Sequence, residues 1–266
     1  MISENNQNSQ NLALLGEIYN CIDSTTLSGD DTQERIATLC NDALTMSSQL
    51  GHENHVAAVC VYPVFVRQAK RLLTNTPIKV ASVAGAFPSG QSPLSVKLQE
   101  VRYAIEEGAD EIDMVISRGA FLEGNLQQVF DEIAAIREIA ARQTLKVILE
   151  TGELRTPENI RKASECAIEA GADFIKTSTG KIAVGATLEA AQVMLQVIKD
   201  HYQKTGKMVG FKAAGGISTP EQALQYANLA HNIMGDEFLT NTTFRIGASR
   251  LTTALFAILT KKTTNN

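Results

Sequence analysis

Two lysines in this chain stand where a buried strand would end, and each could take part in carbonyl chemistry. Lys176 closes an apolar run in residues 172–181, ADFIKTSTGK, and Lys212 closes another in residues 207–216, KMVGFKAAGG. A lysine so placed is half withdrawn from water, and burial favours its uncharged form. The uncharged amine attacks an aldehyde or ketone to give a Schiff base. Two ammonium groups held close repel, so one of them gives up its proton more easily. The pair points to Schiff-base chemistry, with Lys176 as the first candidate nucleophile.

These lysines need elements to position them, and the chain alternates strand and helix signals. Strands are expected at residues 19–23, 56–62, 78–83, 111–117, 145–149, 174–176, 208–211 and 244–247. An opening helix is expected around 12–17. Further helices follow at 30–50, 63–73, 93–107, 126–142, 157–170, 187–203, 220–230 and 248–259. Several start at Pro or Thr/Ser, and several end near Gly, as at Gly108, Gly171 and Gly206. Eight strands each followed by a helix imply a parallel sheet, and this length favours a closed α/β (β/α)8 TIM barrel with a short N-terminal helix. An open doubly wound sheet usually carries G-x-G-x-x-G after its first strand, and none occurs. The expectation is one barrel domain over residues 1–266, with polar tails at about 1–11 and 261–266. EEGADEID and EAGADFIK echo each other as repeated βα units do.

Composition narrows the function classes. The chain has 266 residues, 44% hydrophobic and 20% charged, with a formal net charge of -5. That is ordinary for a soluble enzyme and leaves no basic surplus for nucleic acid. Residues 1–11, MISENNQNSQN, lack the apolar centre of a secretory signal, and no apolar run reaches bilayer length. A cytoplasmic protein with no membrane partner is expected. Cys21, Cys40, Cys60 and Cys166 are scattered without C-x-x-C spacing, which fits a reducing compartment and gives no disulfide or zinc frame. His52 and His55 precede a strand and so fall on the wrong rim of a barrel, while His201 and His231 lie in or after helices. A metal-free enzyme is expected.

Active sites of such barrels lie at the carboxyl ends of the strands. The polar residues expected there are Asp23, Thr25, Cys60, Asp113, Glu150, Lys176, Lys212, Gly215 and Gly216. Lys146, in LKVILE, would lie inside the barrel, where a lone lysine is costly, so Asp113 on the preceding strand is its natural partner. That pair reads equally as a structural ion pair. Cys60 also reads as a small core residue, Glu150 as a loop cap, and Thr25 and Thr179 as turn residues. Gly215 and Gly216, with Gly247, Ala248 and Ser249, would offer backbone N–H groups at a helix start, a common phosphate cradle.

Seven motifs in order then resemble deoxyribose-phosphate aldolase, a class I aldolase family of deoxynucleoside catabolism. They are IDSTTL (22–27), CVYP (60–63), ADEIDMV (109–115), LKVILETGEL (145–154), ADFIKTSTGK (172–181), GFKAAGGIST (210–219) and RIGAS (245–249). The resemblance runs from about residue 22 to 259. It implies a (β/α)8 barrel that reversibly cleaves 2-deoxy-D-ribose 5-phosphate to acetaldehyde and D-glyceraldehyde 3-phosphate, with no cofactor. It implies Lys176 as the Schiff-base lysine, Lys212 as the cation that lowers its pKa, and Asp113 as the carboxylate that moves protons through a bound water, with Lys146 completing the network. Asp23, Thr25, Cys60, Thr179 and Lys181 would approach the sugar. Gly180, Gly215, Gly216, Gly247, Ser249 and Arg250 would surround the phosphate. A homodimer is expected.

The departures from the family pattern also carry information. Ser24 stands where leucine is common, and would enlarge or polarise that edge of the pocket. Ser218 stands where arginine is frequent, and Arg250 where a second serine is frequent, so Arg250 is expected to restore the missing cation. The chain ends in Thr and Asn rather than a tyrosine, and tail-assisted proton transfer is not expected. Two other functions stay open on sequence alone: another Schiff-base aldolase or transaldolase, or a non-catalytic sugar-phosphate binding protein.

Overall fold

The computed structural model describes residues 2–263, with side chains over residues 11–261. Its strands are β1 (Ile22–Thr25), β2 (Ala58–Val61), β3 (Lys79–Ala84), β4 (Glu111–Val115), β5 (Thr144–Ile148), β6 (Phe174–Lys176), β7 (Gly210–Ala214) and β8 (Phe244–Ala248). They close into a parallel barrel in chain order, with β8 pairing back to β1. This is the expected (β/α)8 architecture.

The main helices are α1 (Ile2–Asn20), α2 (Gln33–Leu50), α3 (Val66–Leu72) and α4 (Leu94–Glu106). After β4 come α5 (Arg118–Leu122) and α6 (Leu126–Ile139), and after β5 come α7 (Thr151–Leu154) and α8 (Pro157–Glu169). The remaining three are α9 (Leu188–Thr205), α10 (Pro220–Met234) and α11 (Leu251–Thr263). Four helices start on threonine caps: Thr32, Thr156, Thr187 and Thr219 each accept a hydrogen bond from a backbone N–H three residues on. Such a cap satisfies one of the donors that the first helical turn leaves free. Among the described residues no helix is long and apolar enough to cross a membrane.

The ends of the chain differ from expectation. Residues 2–11, expected as a tail, belong to α1, which runs unbroken into the expected first strand and takes in Tyr19. The reason is local: no Pro occurs, and Leu15, Ile18 and Tyr19 recur at helical spacing on a face that is buried. β1 therefore starts only at Ile22. At the other end α11 continues to Thr263, and residues 264–266 of the expected tail lie outside the described residues. β7 lies at Gly210–Ala214 rather than 208–211, because exposed Met208 precedes it. Short helices α5 and α7, absent from the sequence reading, fold the loops after β4 and β5.

The inside of the barrel is divided. One side is a small apolar cluster of Leu27, Ala58, Cys60, Ala81 and Val83. The other holds Asp23, Glu111, Asp113, Lys146, Lys176, Lys212 and Arg245, all buried. Barrel interiors are ordinarily filled by branched apolar side chains, so this half departs from a pure packing solution. Outside, one continuous apolar layer joins the strands to the helices.

Space for the charged half depends on one glycine. A Cβ on Gly210 would stand 2.3 Å from the Phe174 ring, whose face lies under the Arg245 guanidinium at 5.7 Å. Gly210→Ala is expected to destabilise the barrel by about 1–3 kcal/mol through overpacking. A thermal melt checks it, and an unchanged midpoint would show that the ring has somewhere to go.

Candidate active site

Parallel register brings the site residues side by side. Asp113 of β4 pairs with Lys146 of β5, and Lys176 of β6 pairs with Lys212 of β7, which pairs with Arg245 of β8. Alternation along each strand then turns these side chains inward. They meet around one carboxylate.

Asp113 accepts three lysines. Its Oδ1 takes Lys146 Nζ at 2.8 Å, and its Oδ2 takes Lys176 Nζ at 2.8 Å and Lys212 Nζ at 2.7 Å. Burial alone would push its carboxyl up, but the three ammonium positions hold it well below the usual carboxylate range. Asp23, fully buried, is likewise held far down against burial by Lys212, Arg245 and Lys146. Both are anions in the fold.

The two strand-end lysines differ in their partners, and that difference separates their charges. Lys212 donates both to Asp113 and to Asp23, and these carboxylates raise its pKa well above the ordinary value despite burial. Lys176 reaches only Asp113, on an oxygen that Lys212 also uses. Burial, reinforced by the charge on Lys212, pulls the Lys176 pKa down, against the pull of Asp113. Of the two, Lys176 gives up its proton more readily and Lys212 holds its own more firmly. Lys146 is raised against burial by Asp113, Glu111 and Asp23, and it also stays charged.

Above this cluster opens a cleft of about 280 Å³ at the carboxyl ends of the strands. Lys176 is the member of the cluster that lines it. Thr25, Thr179, Gly180 and Lys181 line it, together with Gly215, Gly216, Ser218, Gly247, Ser249 and Arg250 from the carboxyl ends of β7 and β8 and the loops after them. Gly215 and Gly216 both have positive φ, 88° and 85°, a backbone open to glycine with little strain. A Cβ on Gly185 would stand 2.4 Å from the Gly215 carbonyl oxygen, so the β6 and β7 loops are packed backbone to backbone.

Not every residue expected at the site reaches the cleft. Asp23, Asp113, Lys146 and Lys212 are buried beneath it. Cys60 is buried in the apolar half next to the charged cluster, and burial followed by the Asp113 charge pushes its thiol pKa up, so it is a neutral thiol. Ser24 does not line the cleft, because strand alternation sets it on the face opposite Asp23 and Thr25. It therefore leaves the pocket edge unaltered, contrary to expectation.

Sequence reasoning missed two buried groups, and it named one strut as either a site residue or a loop cap. Arg245 donates to Asp23 Oδ1 at 2.5 Å and to Glu111 Oε1 at 2.8 Å, and Glu111 also accepts Lys146. Both were within reach of the strand period: Glu111 lies two residues before Asp113, and Arg245 two before Gly247. The strut is Glu150, which has left-handed φ of 58° and accepts hydrogen bonds from the Thr179 N–H, at 3.1 Å, and from its hydroxyl. Thr179 Oγ1 then accepts the Lys181 N–H at 3.0 Å, and Lys181 Nζ crosses the cleft to the Leu27 carbonyl. Glu150 thus fixes the β6 loop over the cleft.

Comparisons with known proteins agree with this geometry. The profile of the DeoC/LacD family aldolases matches residues 18–251. The chain is 47% identical over 240 residues to human deoxyribose-phosphate aldolase, covering 86% of this chain and 76% of that one. It is 46% identical over 249 residues to the bovine deoxyribose-phosphate aldolase, covering 90% and 78%. The tetrameric deoxyribose phosphate aldolase of Aeropyrum pernix superposes with a TM-score of 0.73 at 25% identity, covering 97% and 99%. With the barrel closed in the family's way and an amine on its floor, the chain belongs to the DeoC/LacD aldolases, carbon–carbon lyases, among the deoxyribose-phosphate aldolases.

Proposed function

We propose that the enzyme cleaves 2-deoxy-D-ribose 5-phosphate reversibly to acetaldehyde and D-glyceraldehyde 3-phosphate through a Schiff base on Lys176, in deoxyribonucleoside breakdown in the cytoplasm. One observation carries the reading: of the three lysines around Asp113, Lys176 alone has a lowered pKa, and it alone faces the cleft.

The chemistry follows from that amine. Its lone pair attacks the aldehyde carbon of the open-chain sugar, and loss of water leaves an iminium. The iminium withdraws electrons from the bond between the second and third carbons. As the third-carbon hydroxyl gives up its proton, that bond breaks, the three-carbon aldehyde phosphate leaves, and an enamine stays on Lys176. The second carbon then takes a proton, and water releases acetaldehyde and the free amine. Asp113, acting through a water, is the group that shuttles these protons, and Lys212 and Lys146 keep it anionic between steps. No metal or organic cofactor is called for.

The substrate's anionic end belongs beside the glycine-rich loops of the cleft. Gly180, Gly215, Gly216, Gly247 and Ser249 offer backbone and hydroxyl donors there, and Arg250 offers a cation next to the start of α11. Thr25, Thr179 and Lys181 are the polar wall for the sugar hydroxyls. Arg250→Ser is expected to raise KM for the phosphorylated sugar about 5- to 50-fold with little change in kcat, as a charge-assisted contact common to ground and transition states is lost. An unchanged KM would remove Arg250 from the phosphate site.

The substrate assignment is tested by product analysis. Purified enzyme given 2-deoxy-D-ribose 5-phosphate should release acetaldehyde, read by a coupled alcohol dehydrogenase. Release of dihydroxyacetone from ketose substrates instead would make it a different Schiff-base aldolase or a transaldolase, and no turnover of either would favour a binding protein.

A further inference from the structure

We infer that Arg245 and Glu111, buried below the cleft and away from any substrate in it, are positioning residues that set whether Lys176 carries a proton. The inference rests on the reading of Lys176 as the nucleophile.

The observation is a charge balance. Asp23, Glu111 and Asp113 are joined by direct hydrogen bonds to Arg245, Lys146 and Lys212, so three carboxylates face three cations in one buried cluster. With Lys176 uncharged the cluster sums to zero. With Lys176 protonated it carries a net positive charge inside the barrel, where an uncompensated charge is costly. The floor thus holds its lowest energy with the amine free, and Arg245 supplies one of the three cations that make this so.

The surroundings support this role. Lys176 is faced by Asp113 from β4, Lys212 from β7 and the neutral Cys60 from β2. Arg245 is faced by Asp23 from β1, Glu111 from β4, the Phe174 ring from β6 and the Asn241 carbonyl. Lys79 and Asp173 line a cavity of about 360 Å³ at the amino ends of the strands, which Glu111 and Arg245 border from above while staying almost wholly buried. Lys79 is exposed there and Asp173 pairs with Arg137 at 2.6 Å, so water screens both. The guanidinium has every near partner in the cluster or its frame, and none in the cleft.

Two opposite substitutions test it. Arg245→Met leaves one carboxylate in excess, which favours a proton on Lys176. The acidic limb of the kcat/KM profile for 2-deoxy-D-ribose 5-phosphate should then move up by about one pH unit, as for a unit charge removed from a poorly screened interior. Glu111→Gln removes an anion and should move the same limb down by about as much. The double variant restores zero charge and should return the limb close to that of the parent. A purely structural role lowers amplitude or melting temperature but does not shift the limb in opposite directions. Limbs that stay fixed, or move the same way, overturn the inference. Should Arg245→Met not fold, Glu111→Gln decides alone, and an unmoved limb in that variant is contrary. Borohydride added with substrate separates the two levels. An adduct on Lys176 with an unshifted pH dependence sinks only this inference, whereas no adduct on Lys176 in the parent overturns it together with the nucleophile assignment.

Discussion

Lys176→Met is expected to lower kcat for deoxyribose-phosphate cleavage by roughly 10⁴-fold or more, because on the proposed mechanism loss of the nucleophile removes the covalent path altogether. The fold should tolerate the change. Methionine has a similar length and fills the same apolar approach, and Asp113 keeps Lys146 and Lys212 as partners. Lys176 also gains nothing from burial as a charge, since its pKa is lowered there. The sign on stability follows: between the lowered pKa and the ordinary 10.5 the unfolded chain holds the proton and the folded one does not, so this group's contribution grows as pH rises through that window. At neutral pH its removal costs little or slightly stabilises. Steady-state kinetics beside a thermal melt checks both halves, and a variant within tenfold of the parent in kcat would remove Lys176 from the chemistry.

Asp113→Asn should be costly in both activity and stability. The amide cannot relay a proton, a loss of about 10²- to 10⁴-fold for a general acid–base group. It also leaves Lys146 and Lys212 without the carboxylate they share, and breaking a buried ion pair from one side typically costs about 3–5 kcal/mol. The carboxyl is held well below its ordinary value of 3.8, so the parent's stabilisation from this group is full above that pH and is lost as pH falls through the folded-state value. The variant should therefore melt well below the parent at pH 7, with the gap narrowing in acid. A constant gap from pH 7 to pH 3 would show that Asp113 is not the ionised hub of the cluster.

How much of this was legible in the sequence depends on which interactions are local. The barrel is legible because each βα unit carries its own signals: an apolar strand, a Thr or Pro start such as Thr219–Pro220, and a Gly close such as Gly171. The strand-end lysines are legible because an apolar run terminated by Lys is rare in a core. The partners are harder, since they come from the stagger of a closed sheet. Lys212 meets Asp23 across 189 positions of chain, and Arg245 meets Asp23 across 222. Nothing local in FRIGA says that its arginine points in beneath a lysine rather than out to water. Alternation would have placed Glu111 and Arg245 inside, but only once Asp113 and Gly247 were fixed as inward positions. The amino-terminal helix was misjudged for the opposite reason. A polar stretch without apolar period reads as a tail, whereas α1 is anchored from its far end by Leu15, Ile18 and Tyr19.

On the proposed mechanism the central requirement is a lysine that is uncharged while its neighbour is charged, and the neighbour's second carboxylate, Asp23, is what sets the two apart. Reduction with sodium borohydride in the presence of 2-deoxy-D-ribose 5-phosphate, followed by peptide mass mapping, addresses it directly. A two-carbon or sugar-phosphate adduct is predicted on the peptide holding Lys176, with the peptide holding Lys212 unmodified. An adduct on Lys212, or none on either peptide under conditions of active turnover, would contradict the account.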